Sequence, residues 1–403
     1  MDSLQEKYEQ IKARGLKIDA TRGKPSFEQV SLCDEMINTP FESFYAEDGT
    51  DVRNYGGAYG LPEMKRIFAE LLDIDINEVI VGGNSSLNMM FDCVATMILS
   101  GLWSTQGACK NIKFICPVPG YDRHFAVCEH LGIKMLPVPM TPAGPDMDAV
   151  EALARDPEVA GMWCVPVFSN PQGYTYSDET IRRLAAMPAA HPHFKILWDN
   201  AYTVHHFSGE RPVILNILTE CRKNSNENRP IIFTSFSKIS VASAGIVCLA
   251  AAGDTLAVLR KRISVQTVGP DKINQLRHAL YFKNAAGVLA HMQKHAKILR
   301  PKFERAVEVF SKELKDTGAT FTSPKGGYFI SVEAPAGCAK YVCKLCKDAG
   351  VLLTDAGATF PYNHDPADTN IRFAPTFLSP DELEQALEVF CLAIKLAARK
   401  DFS

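Results

Sequence analysis

Lys195-Ile196-Leu197-Trp198-Asp199-Asn200-Ala201-Tyr202 is the stretch on which the fold turns. Its apolar residues run without a polar alternate and stop at an acid. A short run of this kind, apolar on both faces, predicts a strand covered by helices on each side of its sheet. A carboxylate at the end of such a strand, Asp199, is costly to desolvate unless a cation faces it. The bland reading, a helix N-cap, stands beside that one. Tyr202, three residues on, can turn back to the same place.

Outward from this strand the texture repeats. Runs at 112–116, 134–138, 161–165, 195–199, 231–235 and 246–250 predict strands. Amphipathic segments at 61–72, 86–99, 122–131, 147–154 and 178–187 predict the helices between them. This alternation predicts an α/β doubly wound fold with a mostly parallel sheet. After Gly269 the pattern changes. Residues 270–317 read as long helix with breaks near Asn284 and Pro301. Strands at 328–332 and 371–374, a helix at 338–349 and a terminal helix at 380–399 then predict a smaller α+β domain. The division expected is an arm over 1–50 that contributes to the small domain, a large domain over 51–290 and a small domain over 291–403.

The chain has 403 residues, 46% hydrophobic and 22% charged, which is the mix of a folded globular protein and not of a disordered one. Lys+Arg 43 against Asp+Glu 46 leaves a net charge of −3, with no electrostatic footprint for nucleic acid or an acidic membrane. The most apolar run, 242–253, is too short to cross a bilayer. The charged N-terminus lacks a signal-peptide core, so a cytoplasmic protein is expected. The 12 cysteines are scattered and read as buried free thiols. The pair Cys343 and Cys346 has no second pair at zinc-finger spacing, and no metal site is expected.

In open α/β sheets ligands bind beyond the carboxyl ends of the strands, and five polar groups sit there. Gly82-Gly83-Asn84-Ser85-Ser86 opens a helix and suits a phosphate, or is a simple cap. Tyr121, in Pro117-Val118-Pro119-Gly120-Tyr121, offers a ring for stacking, or packs in a turn. Asn170-Pro171-Gln172-Gly173 is a turn whose Asn170 can both donate and accept. Asp199 and Tyr202 are the fourth. The fifth is Ile231-Ile232-Phe233-Thr234-Ser235-Phe236-Ser237-Lys238, an apolar strand that ends on a lysine. That lysine either snorkels to the surface or is a tuned amine, since desolvation lowers a lysine pKa and makes it nucleophilic. Separately, Arg372 lies inside a strand-like run and needs an anion. A substrate carboxylate and a structural ion pair are both candidates.

Taken in order, Asn-Pro-x-Gly, Asp-x-Ala-Tyr, Ser-x-Ser-Lys and a late Arg resemble the fold-type I, class I aminotransferases that use pyridoxal 5′-phosphate (PLP). The resemblance runs from Leu16 to the C-terminal helix. It is closest to the MocR-like aspartate aminotransferase branch, through 19–25 (DATRGKP), 51–57 (DVRNYGG), 85–92 (SSLNMMFD), 116–125 (CPVPGYDRHF), 166–171 (PVFSNP) and 269–278 (GPDKINQLRH).

The resemblance implies a PLP-dependent transferase fold and an aminotransferase acting between an amino acid, aspartate by default, and a 2-oxo acid. Lys238 would carry the cofactor and move the substrate proton. Asp199 would face the pyridine nitrogen. Tyr202 and Asn170 would hydrogen-bond the phenolic oxygen, and Tyr121 would stack on the ring. Gly83, Asn84 and Ser85 would hold the phosphate, with Ser235 or Ser237. Arg372 would bind the substrate α-carboxylate, and Gly23 and Asn170 would lie beside it. Tyr55 is similar to the tyrosine lent across a homodimer interface to the partner's phosphate. A distal carboxylate would need a further cation: Arg22, Lys24, Arg123 or Lys272. Many class I relatives have an arginine where Ile246 stands, so the phosphate needs charge from elsewhere, Lys272 or a partner chain among the candidates. Phe236, Tyr59, Asp355 and Ala358-Thr359-Phe360 also depart from the branch's pattern, and each is expected near the pocket. Those departures keep a second PLP chemistry open, namely elimination, replacement or carbon–carbon bond formation.

Overall fold

The computed structural model describes residues 3–21, 23–103 and 111–399. Its strands are β1 (Ile18–Asp19), β2 (Val79–Gly82), β3 (Lys113–Val118), β4 (Lys134–Thr141), β5 (Gly144–Pro145), β6 (Val159–Cys164), β7 (Lys195–Asp199), β8 (Pro230–Ser235), β9 (Val247–Ala251), β10 (Thr320–Phe321), β11 (Ile330–Glu333), β12 (Val351–Leu352) and β13 (Asn370–Phe373). Eight of them form one sheet in the order β2-β9-β8-β7-β6-β3-β4-β5. β4, β3, β6, β7 and β8 are mutually parallel, and β9 runs against both β2 and β8. The sheet is α/β and mostly parallel, and every residue of β6, β7, β8 and β9 is buried. That burial is why the sequence shows unbroken apolar runs there instead of alternation.

The topology fixes where a ligand can sit. Chain order leads from β3 outward to β4 on one side and from β6 through β7 to β8 on the other. The direction switches between β3 and β6. A crevice opens at such a point, beyond the carboxyl ends. β2, antiparallel to β9, brings Gly82 to that same edge. This strand was not anticipated, because four residues between two helices give too short a periodic signal.

A second sheet, β10-β11-β13, is antiparallel and packs against the helices Ala285–Glu313 and Pro380–Ala397. Residues 270–317 divide at Asn284, whose side chain accepts from Gly287 N and caps the second helix. Pro301 lies within that helix without ending it, contrary to the expected break. The N-terminal arm joins this unit: β1 pairs in parallel with β12, and Tyr8 Oη donates to the Leu345 carbonyl at 2.9 Å. Every cysteine among the described residues is a free thiol, buried except for Cys343, which is half-buried. No helix among the described residues is long and apolar enough to cross a membrane.

Phe236 corrects the expectation that it borders the pocket. Its ring is 1% exposed and packs on Phe68, Phe282 and His278, on the core side of the lysine loop. Phe236→Ala is therefore expected to lower the unfolding free energy by about 3–5 kcal/mol, the usual loss for a buried phenylalanine. Denaturant unfolding of the wild type and the variant measures it.

Candidate active site

A cavity of about 880 Å³ opens at the switch point, and Gly23, Tyr121, Asn170, Tyr202, Lys238 and Arg372 all line it. Three come from loops that follow β3, β6 and β8, and Tyr202 follows β7. Gly23 belongs to the N-terminal arm and Arg372 to β13. Residues spread over some 350 positions thus meet because the arm and the small sheet fold back over the large sheet's edge.

Asp199, the last residue of β7, is 3% exposed. Its Oδ2 lies 3.0 Å from His124 Nε2. An ionised carboxylate only accepts, so that nitrogen is the donor. The His124 ring is stacked on Trp163 at 4.2 Å, and Tyr121 meets it edge-on at 4.9 Å. Asp199 Oδ1 is buried and has no hydrogen-bond partner. A buried carboxylate oxygen without a donor is a site waiting for an N–H, which is what a protonated pyridine nitrogen offers. His124 lies in the sequence string that carries the family resemblance, but its role was not read. The signal was its spacing of three from Tyr121 at the start of a helix.

Lys238 Nζ lies 5.1 Å from the Tyr202 ring centroid. Burial lowers the amine's pKa below the ordinary lysine value, and Asp199 pulls it partly back. Deprotonated amine, the nucleophilic form, is correspondingly more available. The Lys238 carbonyl accepts from Tyr328 Oη at 3.3 Å and has His205 Nε2 at 3.4 Å. Burial holds Tyr202 well above its usual pKa and Tyr121 at about 12, so both stay protonated donors.

Arg372 is 6% exposed. Its Nη1 donates to Asp122 Oδ1 at 2.8 Å and to Asn170 Oδ1 at 3.3 Å, and its Nη2 donates to Thr354 Oγ1 at 3.2 Å. Phe329 lies under the guanidinium at 4.9 Å. Gly23 has a steric reason for its identity. A Cβ there would come within 2.5 Å of Phe329 Cζ and 3.1 Å of Tyr328 Cβ.

The expected phosphate cradle lies at the start of the helix Ser86–Leu99. Gly83 has φ +52°, a conformation glycine adopts freely. Ser85 Oγ caps the helix by accepting from Asn88 N, Asn84 Nδ2 donates to the Ser243 carbonyl, and Ser237 Oγ donates to the Asn84 carbonyl. Ser235 is buried at the end of β8. Ile246 is buried in the cluster that also holds Phe236, so it offers only hydrocarbon there and no charge for a phosphate. Lys272 is buried and donates to the Gly56 carbonyl at 2.7 Å, beside Tyr55. Tyr55 itself is 83% exposed and is absent from the cavity wall of its own chain.

Of the cations considered for a distal carboxylate, Lys24 and Arg123 line the cavity, Lys272 does not, and Arg22 lies outside the described residues. Among the departures from the branch's pattern, Asp355 lines the cavity. Tyr59 instead packs beneath Arg260, and Thr359 Oγ1 donates to Asn370 Oδ1 in the small sheet.

The whole chain, residues 1–403, matches the family model described as aspartate amino-transferase. It is 42% identical to an aspartate aminotransferase of Corynebacterium glutamicum over 410 residues, covering 100% of this chain and 94% of that protein. A crystal structure of an aspartate transaminase from C. glutamicum superposes with a TM-score of 0.95 at 43% identity, covering 98% of this chain and 95% of that one. An α-aminoadipate aminotransferase from Thermus thermophilus, crystallised with N-(5′-phosphopyridoxyl)-L-leucine, has the same fold, with a TM-score of 0.75 at 19% identity over 97% and 95% of the two chains. The fold and site define a PLP-dependent type of aminotransferase, an enzyme that works between an amino acid and a 2-oxo acid. The chain belongs to the aspartate aminotransferase family.

The close approach at Gly23 yields a test. Gly23→Ala must push Phe329 away from beneath Arg372. The expected outcome is a rise of about 10- to 100-fold in KM for the amino acid, the scale of an ångström misplacement. Steady-state kinetics measure it.

Proposed function

We propose that this chain is a PLP-bound aminotransferase with aspartate and 2-oxoglutarate as its substrate pair, working in the cytoplasm as a homodimer. The observation that carries the reading is the buried, unpartnered oxygen of Asp199, an acid close enough to act electrostatically on the buried amine of Lys238. That pair fits the cofactor at both ends of its chemistry: an amine for the aldehyde and an anion for the ring nitrogen. Lys238 would hold the cofactor covalently. Asp199 would hold it at the ring nitrogen, and Tyr202 and Asn170 at the phenolic oxygen. Tyr121 would bear on the ring face. Gly83, Asn84 and Ser85, with Ser235 and Ser237, would take the phosphate. When bound, PLP supplies an electron sink that acidifies the substrate Cα–H.

The remaining work belongs to this chain's own side chains. Arg372 binds the α-carboxylate and, with Asn170, orients the substrate. Lys238 Nζ would accept the Cα proton. Its lowered pKa favours the unprotonated amine for that task. Asp199, held by His124, keeps its negative charge aimed at the ring nitrogen throughout. Lys24 and Arg123 supply positive charge along the wall for a second carboxylate. The exposed Tyr55 is proposed to reach the partner subunit's phosphate, which makes the dimer part of the site. The domain division proposed is an arm over 1–50, the large domain over 51–290 and the small domain over 291–403.

Absorption spectroscopy tests the reading. Holoenzyme should turn yellow with PLP, and borohydride should fix the cofactor to Lys238. In a separate, unreduced sample, L-aspartate alone should bleach the aldehyde form with one equivalent of oxaloacetate released. Lys238→Ala should abolish the covalent fixation and lower kcat by about 10²–10⁴-fold or more, the contribution of a positioned acid–base group. Covalent yellow cofactor in Lys238→Ala would sink the assignment.

A further inference from the structure

Arg372 is assigned above to the substrate α-carboxylate, yet a carboxylate of the protein already sits on it. Asp122 Oδ1 lies 2.8 Å from Nη1. A guanidinium has five N–H donors. The two on Nη1 go to Asp122 and Asn170, and one on Nη2 goes to Thr354. Nε is buried and has no partner within the protein. One Nη2 hydrogen is left. A substrate carboxylate that grips Arg372 end-on, across both Nη nitrogens, must therefore take a Nη1 hydrogen from one of its present acceptors.

Asp122 is the acceptor that can yield. Asn170 is buried, while the Asp122 side chain is 21% exposed on the cavity wall. An exchange of one carboxylate for another also leaves the charge balance around the buried guanidinium unchanged. A destination for the displaced group is at hand, because Arg123 Nε lies 3.5 Å from Asp122 Oδ2. Asp122 thus stands between two arginines, one buried and one exposed. It keeps the buried one paired and oriented when no substrate carboxylate is there.

We propose that Asp122 is a resident carboxylate on Arg372, which the α-carboxylate of either substrate displaces toward Arg123, so that Asp122 weakens substrate binding and helps product leave. The proposal rests on the reading of Arg372 as the carboxylate clamp. It concerns only the α-carboxylate, so an unreactive monocarboxylate, propionate, is a sufficient probe.

The test uses PLP-loaded holoenzyme. Asp122→Asn keeps an acceptor for Nη1 and removes the charge. The expected results are a fall of about tenfold in the propionate inhibition constant and in KM for both substrates, with kcat/KM raised. Arg123→Gln removes the displaced group's destination from an exposed position, and should raise the propionate inhibition constant a few-fold. Propionate has no distal carboxylate, so lost contact with one cannot explain that rise. An unchanged or raised propionate constant in Asp122→Asn, with Arg372→Leu raising it strongly, would overturn the proposal and leave the clamp standing. If Arg372→Leu leaves propionate binding intact, the clamp reading fails and this proposal falls with it. Should Asp122→Asn not fold, the Arg123→Gln result decides: no change in the propionate constant would overturn the exchange.

Discussion

The site depends on a half-satisfied carboxyl group at the end of a buried strand. Asp199 lies where β7 leaves the sheet, with one oxygen held by His124 and the other without a donor. An unpaired polar atom in the interior is destabilising, so the surrounding structure has to hold it there. The stack of His124 on Trp163 does this, because a ring pinned face-on by an indole cannot swing its Nε2 away from the acid. Tyr121 closes the third side. One strand end, one helix start and one core tryptophan thus combine to leave one carboxylate oxygen unclaimed near the Lys238 amine.

A second constraint comes from the small sheet and the arm. Arg372 on β13 faces Asn170 and Asp122, which both follow strands of the large sheet, and Phe329 supports it from below. Gly23 lets the arm pass close over Phe329. The Lys238 carbonyl is tied to Tyr328, which precedes β11 of the small sheet and whose hydroxyl in turn accepts from Gln29 at 3.0 Å. Arg372 and Lys238 are therefore coupled through adjacent residues, Phe329 and Tyr328. Any shift of the small sheet against the large one would move both.

Much of this could be read from the chain alone, for a specific reason. Tyr121, Asn170, Asp199 and Lys238 each follow an unbroken apolar run, and in a doubly wound sheet such positions share one edge whatever the loop details. Their convergence needed only the strand pattern. His124, Asp122, Thr354 and Phe329 escaped because their roles arise from pairings across long separations, 75 residues for His124 with Asp199 and 250 for Asp122 with Arg372. Phe236 was misread for a related reason. Past the end of β8 no periodicity says which way a side chain turns, and packing on Phe68 and Phe282 sent it into the core.

By itself, the order of residues determined the layered architecture and the set of strand-end groups, because apolar runs and the polar residues that stop them are local properties. Tertiary structure alone decided which acceptor occupies each hydrogen of Arg372, that Asp199 keeps one oxygen unclaimed, and that Ile246 and Phe236 face the core. Those outcomes depend on distances between segments far apart in the chain, and close packing settles them only when all the segments are in place.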